Sequence, residues 1–270
     1  MIRSFSFFFV MTLCCYVQAG NSKAELRNYV DKVDNEYVII SDFDDTIKRS
    51  YLGSSFYVGA IANALNWKKE YWAMPELLQA MKVNAAGLVI LSASPHILRA
   101  PIQKLLKSNS INYQYLFTRD LLGQDKEDFK YNAIYDVIYE TQKNIVLLGD
   151  DLELDPDIYR SIRDDFSDNV QAIYIHKVLN ETDLSDLKSY FIPFEVSLYE
   201  YEEGRVNLEQ VKVIGRKIYN AQKEDIEDII PDYAYCPLSV DEFYHVSDRE
   251  LQTLQEKIYQ RLVQYCRSRD

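Results

Sequence analysis

Short, uninterrupted apolar runs alternate with amphipathic stretches along most of the chain. The runs are Val38-Ile39-Ile40, Leu88-Val89-Ile90-Leu91, Ile145-Val146-Leu147-Leu148 and Ala172-Ile173-Tyr174-Ile175, with a weaker one from Tyr113 to Phe117. A run that is apolar at every position suits a strand buried on both faces. Between the runs, helical spacing predicts helices over 75–82, 97–107, 128–139 and 157–165, and residues 21–33 carry Leu26, Tyr29 and Val33 on one side. Pro75 fits a first helical turn, where its missing N–H costs nothing. Strands alternating with helices predict an α/β, Rossmann-like parallel sheet sandwiched by helices, with right-handed crossovers. Ligands of such sheets bind outside the carboxyl ends of the strands, so the residues that follow each run carry the interest.

The two ends of the chain read differently. Arg3, the apolar stretch from Phe7 to Val17 and the small-residue pattern Val17-Gln18-Ala19 predict a secretory signal, 1–19, cut before Gly20, and hence a secreted or periplasmic protein. Residues 20–180 then form the core domain, and 181–270 a mainly helical extension packed on it. Ser247-Asp248-Arg249-Glu250 reads as a capping box, followed by Leu251, Leu254, Ile258 and Leu262 in one stripe, which predicts a helix over 248–267. Past the signal only Cys236 and Cys266 remain, as one disulfide or as two buried thiols.

Composition narrows the chemistry. With Lys+Arg 30 against Asp+Glu 42 the net charge is −12, and loss of Arg3 makes it one unit more negative. So acidic a chain is a poor wrapper for nucleic acid, whose phosphates need clustered cations. Several of its acidic residues stand at predicted strand ends. The first run leads into Ser41-Asp42-Phe43-Asp44-Asp45-Thr46, the second into Ser92-Ala93-Ser94-Pro95, and the third into Gly149-Asp150-Asp151 with Asp155 beyond; Lys130 opens the helix before the third. Clustered carboxylates repel and call for a cation. Oxygen donors without Cys or His select a hard ion, Mg²⁺, rather than zinc, and the three histidines are scattered. Neither cluster has the spacing of a calcium loop. Asp42 and Asp150 are the expected carboxylate ligands, with a backbone carbonyl near Asp44. A carboxylate beside Mg²⁺ can act as a nucleophile and form an aspartyl-phosphate, while a second one two residues on, Asp44, protonates the leaving alcohol and then activates water. Lys130 and the Thr46 or Ser92 hydroxyl would neutralise the phosphoryl oxygens.

Asp42-x-Asp44-x-Thr46, Ser92, Lys130 and Gly149-Asp150-x₄-Asp155 resemble the four motifs of haloacid-dehalogenase-like (HAD) phosphatases. More narrowly, Asp42 to Lys48, Leu91 to Pro95, and Gly149 to Tyr159 with Ile173-Tyr174-Ile175 resemble the catalytic domain of the actin-patch-associated, Mg²⁺-dependent phosphatidate phosphatases, over roughly residues 36–180. The resemblance implies Asp42 as nucleophile, Asp44 as general acid/base, Thr46, Ser92, Ala93 and Lys130 on the phosphoryl group, and Asp42, Asp44 and Asp150 at the metal. Asp151 and Asp155 would be secondary carboxylates that orient metal waters or Lys130. Phe43, His96 and Asp151 replace, in that order, a smaller aliphatic residue, a Trp and a small residue usual in the family.

The resemblance also places a small cap at about 51–73, which here is rich in aromatics: Tyr51, Phe56, Tyr57, Trp67, Tyr71 and Trp72. Such a cap either touches an acyl chain at a membrane surface or packs on its own domain. The expected partner is a phosphomonoester, in the subfamily a lipid phosphate. The alternatives are a small soluble phosphomonoester and a non-catalytic secreted binding protein on the same scaffold.

Overall fold

The computed structural model describes residues 26–28, 33–50, 70–120 and 124–269. The predicted signal, most of the 21–33 helix and most of the cap, including Tyr51, Phe56, Tyr57 and Trp67, lie outside the described residues.

In chain order the elements are β1 (Tyr37–Asp42), α1 (Met74–Lys82), β2 (Gly87–Pro95), α2 (Arg99–Ser108) after a 3₁₀ turn at His96–Leu98, and β3 (Tyr115–Arg119). They continue with α3 (Lys126–Thr141), β4 (Asn144–Asp150), α4 (Asp155–Asp165), β5 (Val170–His176), β6 (Lys188–Tyr190), α5 (Pro193–Glu202), α6 (Leu208–Tyr219), α7 (Ile226–Ile229) and α8 (Arg249–Arg267). The six strands form one sheet in the order β3-β2-β1-β4-β5-β6, every pair parallel. The α/β reading of the sequence is therefore correct. β6 has no counterpart in the apolar pattern, because Lys188-Ser189-Tyr190 is too short and polar to register as a run.

Alternation along the strands explains why the runs are apolar throughout. Ile39, Leu88, Ile90, Val146 and Leu148 face one layer, and Val38, Ile40, Val89, Leu91, Ile145 and Leu147 face the other. The first layer is built from α1, α2, α5, α6 and α8, the second from α3 and α4 together with Leu26. Close approach is visible at Gly215 on α6, where a Cβ would stand 2.7 Å from both Leu254 and Phe194.

Helix ends follow local chemistry. Pro75 lies in the first turn of α1, and Asp125 caps α3 by accepting from Glu127 N. At α8 the cap is Asp248 rather than Ser247, so the helix starts one residue later than the motif suggests. The Asp248 carboxylate reaches both Glu250 N and Leu251 N. Cys236 and Cys266 are joined in a disulfide that closes a separation of 30 residues. Among the described residues no helix is long and apolar enough to cross a membrane.

Candidate active site

The chain turns from β3 back to the opposite side of β1, so the topological switch lies between β1 and β4. β1 ends on Asp42 and β4 on Asp150, in adjacent parallel strands with Ser41 paired to Leu148. Two acidic residues far apart in sequence thus meet at one edge. Asp155, the first residue of α4, completes the group: Asp42, Asp150 and Asp155 each offer a carboxylate oxygen, and these oxygens lie within 4.8 Å of one another.

Lys130 comes in from α3. Its Nζ lies 2.7 Å from Asp42 Oδ1 and also bonds Asp155 Oδ1, and all four side chains are buried. Gly149 is what lets Asp155 fold back on the strand, since a Cβ there would stand 2.5 Å from Asp155 Oδ2 and 2.8 Å from the Tyr159 ring. Three carboxylates therefore face one ammonium in a buried site. Burial pushes the Asp42 carboxyl well above its ordinary range; Lys130 pulls it back, and Asp155 and Asp44 push it up again. Asp150 is raised first by burial and then by Asp155 and Asp42. Burial alone would lower Lys130, but Asp155, Asp42 and Asp150 together hold it well above the usual lysine range. A hard divalent cation fits this set, because the donors are all oxygens and one ammonium leaves the negative charge only partly balanced.

Asp44 occupies a separate, more open pocket. Its Oδ1 accepts from Ser50 Oγ at 2.6 Å, and its Oδ2 from Ser94 Oγ at 3.0 Å and Ser92 Oγ at 3.4 Å; Lys48 Nζ lies 3.7 Å away. Ser92 and Ser94, two residues apart near the end of β2, face it together, and the β2–β3 register shifts between Ser92 and Pro95. The Thr46 hydroxyl donates to Asp150 Oδ2 at 3.3 Å, and the Ala93 carbonyl accepts from Arg119 Nε at 3.1 Å. Of the expected residues, then, Asp42, Thr46, Lys130, Asp150 and Asp155 gather at one point and Asp44 and Ser92 beside it.

Asp151 does not join them. Its oxygens accept from the backbone N–H groups of Val178, Leu179 and Asn180 at 2.6, 2.9 and 2.8 Å. Asp155 holds Lys130, while Asp151 ties β4 to the loop after β5. The physical reason is local: Asp151 points away from the rim on the residue after Asp150, whereas Asp155 is carried back by the first turn of α4.

Ser50, Ser94, Lys48, Asp45 and His176 are site neighbours that the sequence reading assigned no role. Ser94 was legible as the second hydroxyl in Ser92-Ala93-Ser94, and Lys48 as the cation four residues after Asp44. His176 carries no such signal. It lies buried under the Asp45 loop, its Nδ1 2.9 Å from the Asp45 carbonyl oxygen and its Nε2 3.2 Å from that of Phe191, and burial holds it below the ordinary histidine range. In the described part of the cap, Tyr71 is buried and Trp72, partly buried, packs against the core.

Residues 37–177 match the family model described as phosphatidate phosphatase APP1, catalytic domain. The chain belongs to this family. The match spans the whole carboxylate edge, from β1 to the end of β5, and makes the chain a phosphatase, a phosphoric monoester hydrolase of phosphatidate phosphatase type. The family implies a lipid phosphate as substrate. No curated protein matches the chain in sequence.

Proposed function

We propose that the chain is a Mg²⁺-dependent, HAD-type phosphatidate phosphatase that works through a phosphorylated Asp42. The observation that carries this reading is the meeting of Asp42, Asp150 and Asp155 within 4.8 Å, with Lys130 2.7 Å from Asp42 and Asp44 in its own hydroxyl-lined pocket two residues along. Asp42 and Asp150 would hold the ion, with a backbone carbonyl near Asp44. Bound there, the ion supplies charge neutralisation at the phosphoryl oxygens.

The residues of the chain do the rest. Lys130 and the Ser92 hydroxyl orient the phosphoryl group against Asp42, with the Thr46 and Ala93 segments behind them. An Asp42 oxygen attacks phosphorus, the bond from phosphorus to the alcohol oxygen breaks, and the Asp44 carboxyl gives its proton to that oxygen. Water then attacks the phospho-Asp42, Asp44 takes its proton, and phosphate leaves with Asp42 restored. Ser50, Ser92 and Ser94 can donate to or accept from Asp44, so the pocket suits either protonation state.

Asp42→Asn should lower kcat by at least about 10³-fold in a protein with an unchanged circular dichroism spectrum. Retained turnover would sink the assignment. A panel of phosphatidate in mixed micelles against soluble phosphomonoesters, with and without Mg²⁺, tests the rest. Equal rates would favour a small soluble substrate, and no Mg²⁺-stimulated hydrolysis of any ester would favour a binding protein. Secretion is part of the proposal, supported by the leader pattern of 1–19 and by the Cys236–Cys266 disulfide. A mature protein that does not begin at Gly20 would count against it.

A further inference from the structure

The Asp42–Ser50 loop carries the nucleophile and the acid/base residue, and some of its firmest contacts come from outside the family-matched region. Asp45, between Asp44 and Thr46, has a left-handed backbone (φ 54°), and its carboxylate accepts from Ser50 N at 2.9 Å. The same Asp45 oxygen accepts from the Tyr233 hydroxyl at 2.9 Å, across 188 residues of sequence, and the Tyr71 and Tyr233 hydroxyls stand 3.2 Å apart. Farther along the loop, Arg49 pairs with Asp228 at 2.6 Å in a largely buried contact and donates to the Glu227 carbonyl at 2.8 Å. On the far side of residues 51–69, Trp72 N donates to the Asp228 carbonyl at 2.9 Å. One short stretch, 227–233, thus grips the loop and both stems of the cap segment.

That stretch is itself held firmly. Tyr235 N donates to the Val178 carbonyl, Arg269 reaches the Pro231 and Asp232 carbonyls, and Cys236 is bonded to Cys266 at the end of α8. The scaffold thus runs from the last helix to the residue next to Asp44.

We propose that Tyr233, with Asp228 beside it, is a positioning residue of the phosphatase site: its hydroxyl on Asp45 fixes the backbone that aims Asp44 at the leaving oxygen. The proposal rests on Asp44 serving as the general acid. Misplacing that acid harms an alkyl leaving group, which needs its proton, far more than an activated aryl one. Mere loss of folded protein slows both equally.

The test is Tyr233→Phe in the full chain, assayed on phosphatidate in mixed micelles and on p-nitrophenyl phosphate. The expected result is a fall in kcat of at least about tenfold on phosphatidate, KM within about threefold, and a fall below about threefold on the aryl ester. Tyr71→Phe, which removes only the hydroxyl one step farther from Asp45, should repeat the pattern at smaller size. An unchanged kcat on phosphatidate, or an equal fall on both substrates, would overturn the proposal. Asp42→Asn keeps the two readings apart. If it is inactive while Tyr233→Phe is normal, positioning alone fails; if it stays active, the phosphatase site fails first.

Discussion

The family-matched region and the C-terminal ninety residues obey the same packing rules and contribute different things. From β1 to β5 the chain places chemistry at strand ends: Asp42, Ser92 and Asp150 each finish or follow a buried apolar run, and Lys130 stands on the helix facing them. From β6 onward it contributes a short edge strand, the helices α5, α6 and α8 that bury one sheet face, and a stretch that reaches back to Asp45 and Arg49. The first region is specified by residues near one another in the sheet, the second by contacts that only packing creates. On the proposed reading, chemistry and its alignment are supplied by different parts of one chain.

Two glycines sharpen the contrast most. Gly149→Ala pushes a Cβ into Asp155 and Tyr159 and so displaces a partner of Lys130; kcat should fall about 100-fold per folded molecule. Gly215→Ala meets Leu254 and Phe194 instead, away from the site. It should cost about 1–3 kcal/mol in urea unfolding while kcat stays within about threefold. If the two variants lost activity alike, the division of labour would be wrong.

The covalent tie comes next. Replacing Cys236 and Cys266 together by Ser frees a loop of 30 residues and should cost about 3.5 kcal/mol of stability on the chain-entropy account. The urea midpoint of the double variant measures it, and reductant applied to the wild type should give the same shift.

A pH slope also belongs to the C-terminal region. Glu195 is buried at the start of α5, where it accepts from Phe191 N, Ile192 N and Tyr244 N. Burial pushes its carboxyl up to about 7, against an unfolded value of 4.5. The folded state binds this proton more tightly than the unfolded one. Its contribution is thus fully present below pH 4.5 and is lost as pH rises toward 7, by roughly 3 kcal/mol at most. Urea midpoints measured at pH 5 and 7.5 should decline accordingly, and Glu195→Gln should flatten the decline. A wild-type midpoint that rises over that interval would contradict this account of Glu195.

Much of the site was readable from the amino-acid order. Short apolar runs that alternate with helical patterns read as strands buried on both faces of a parallel sheet, so the ends of such runs sit on one edge, and Asp42 and Asp150 fall there together. Gly149 before Asp150 and a lysine on the preceding helix were equally local signals. Tertiary structure decided the rest. Asp151 and Asp155 are both acids just beyond β4, and only the first turn of α4 and the loop after β5 determine that Asp155 turns to Lys130 while Asp151 takes three backbone amides. The pairing of Cys236 with Cys266, the sixth strand and the reach of Tyr233 to Asp45 belong to the same class. Periodicity and turn chemistry act over a few residues, whereas these contacts join segments up to 188 residues apart and exist only once two packed layers have brought them together.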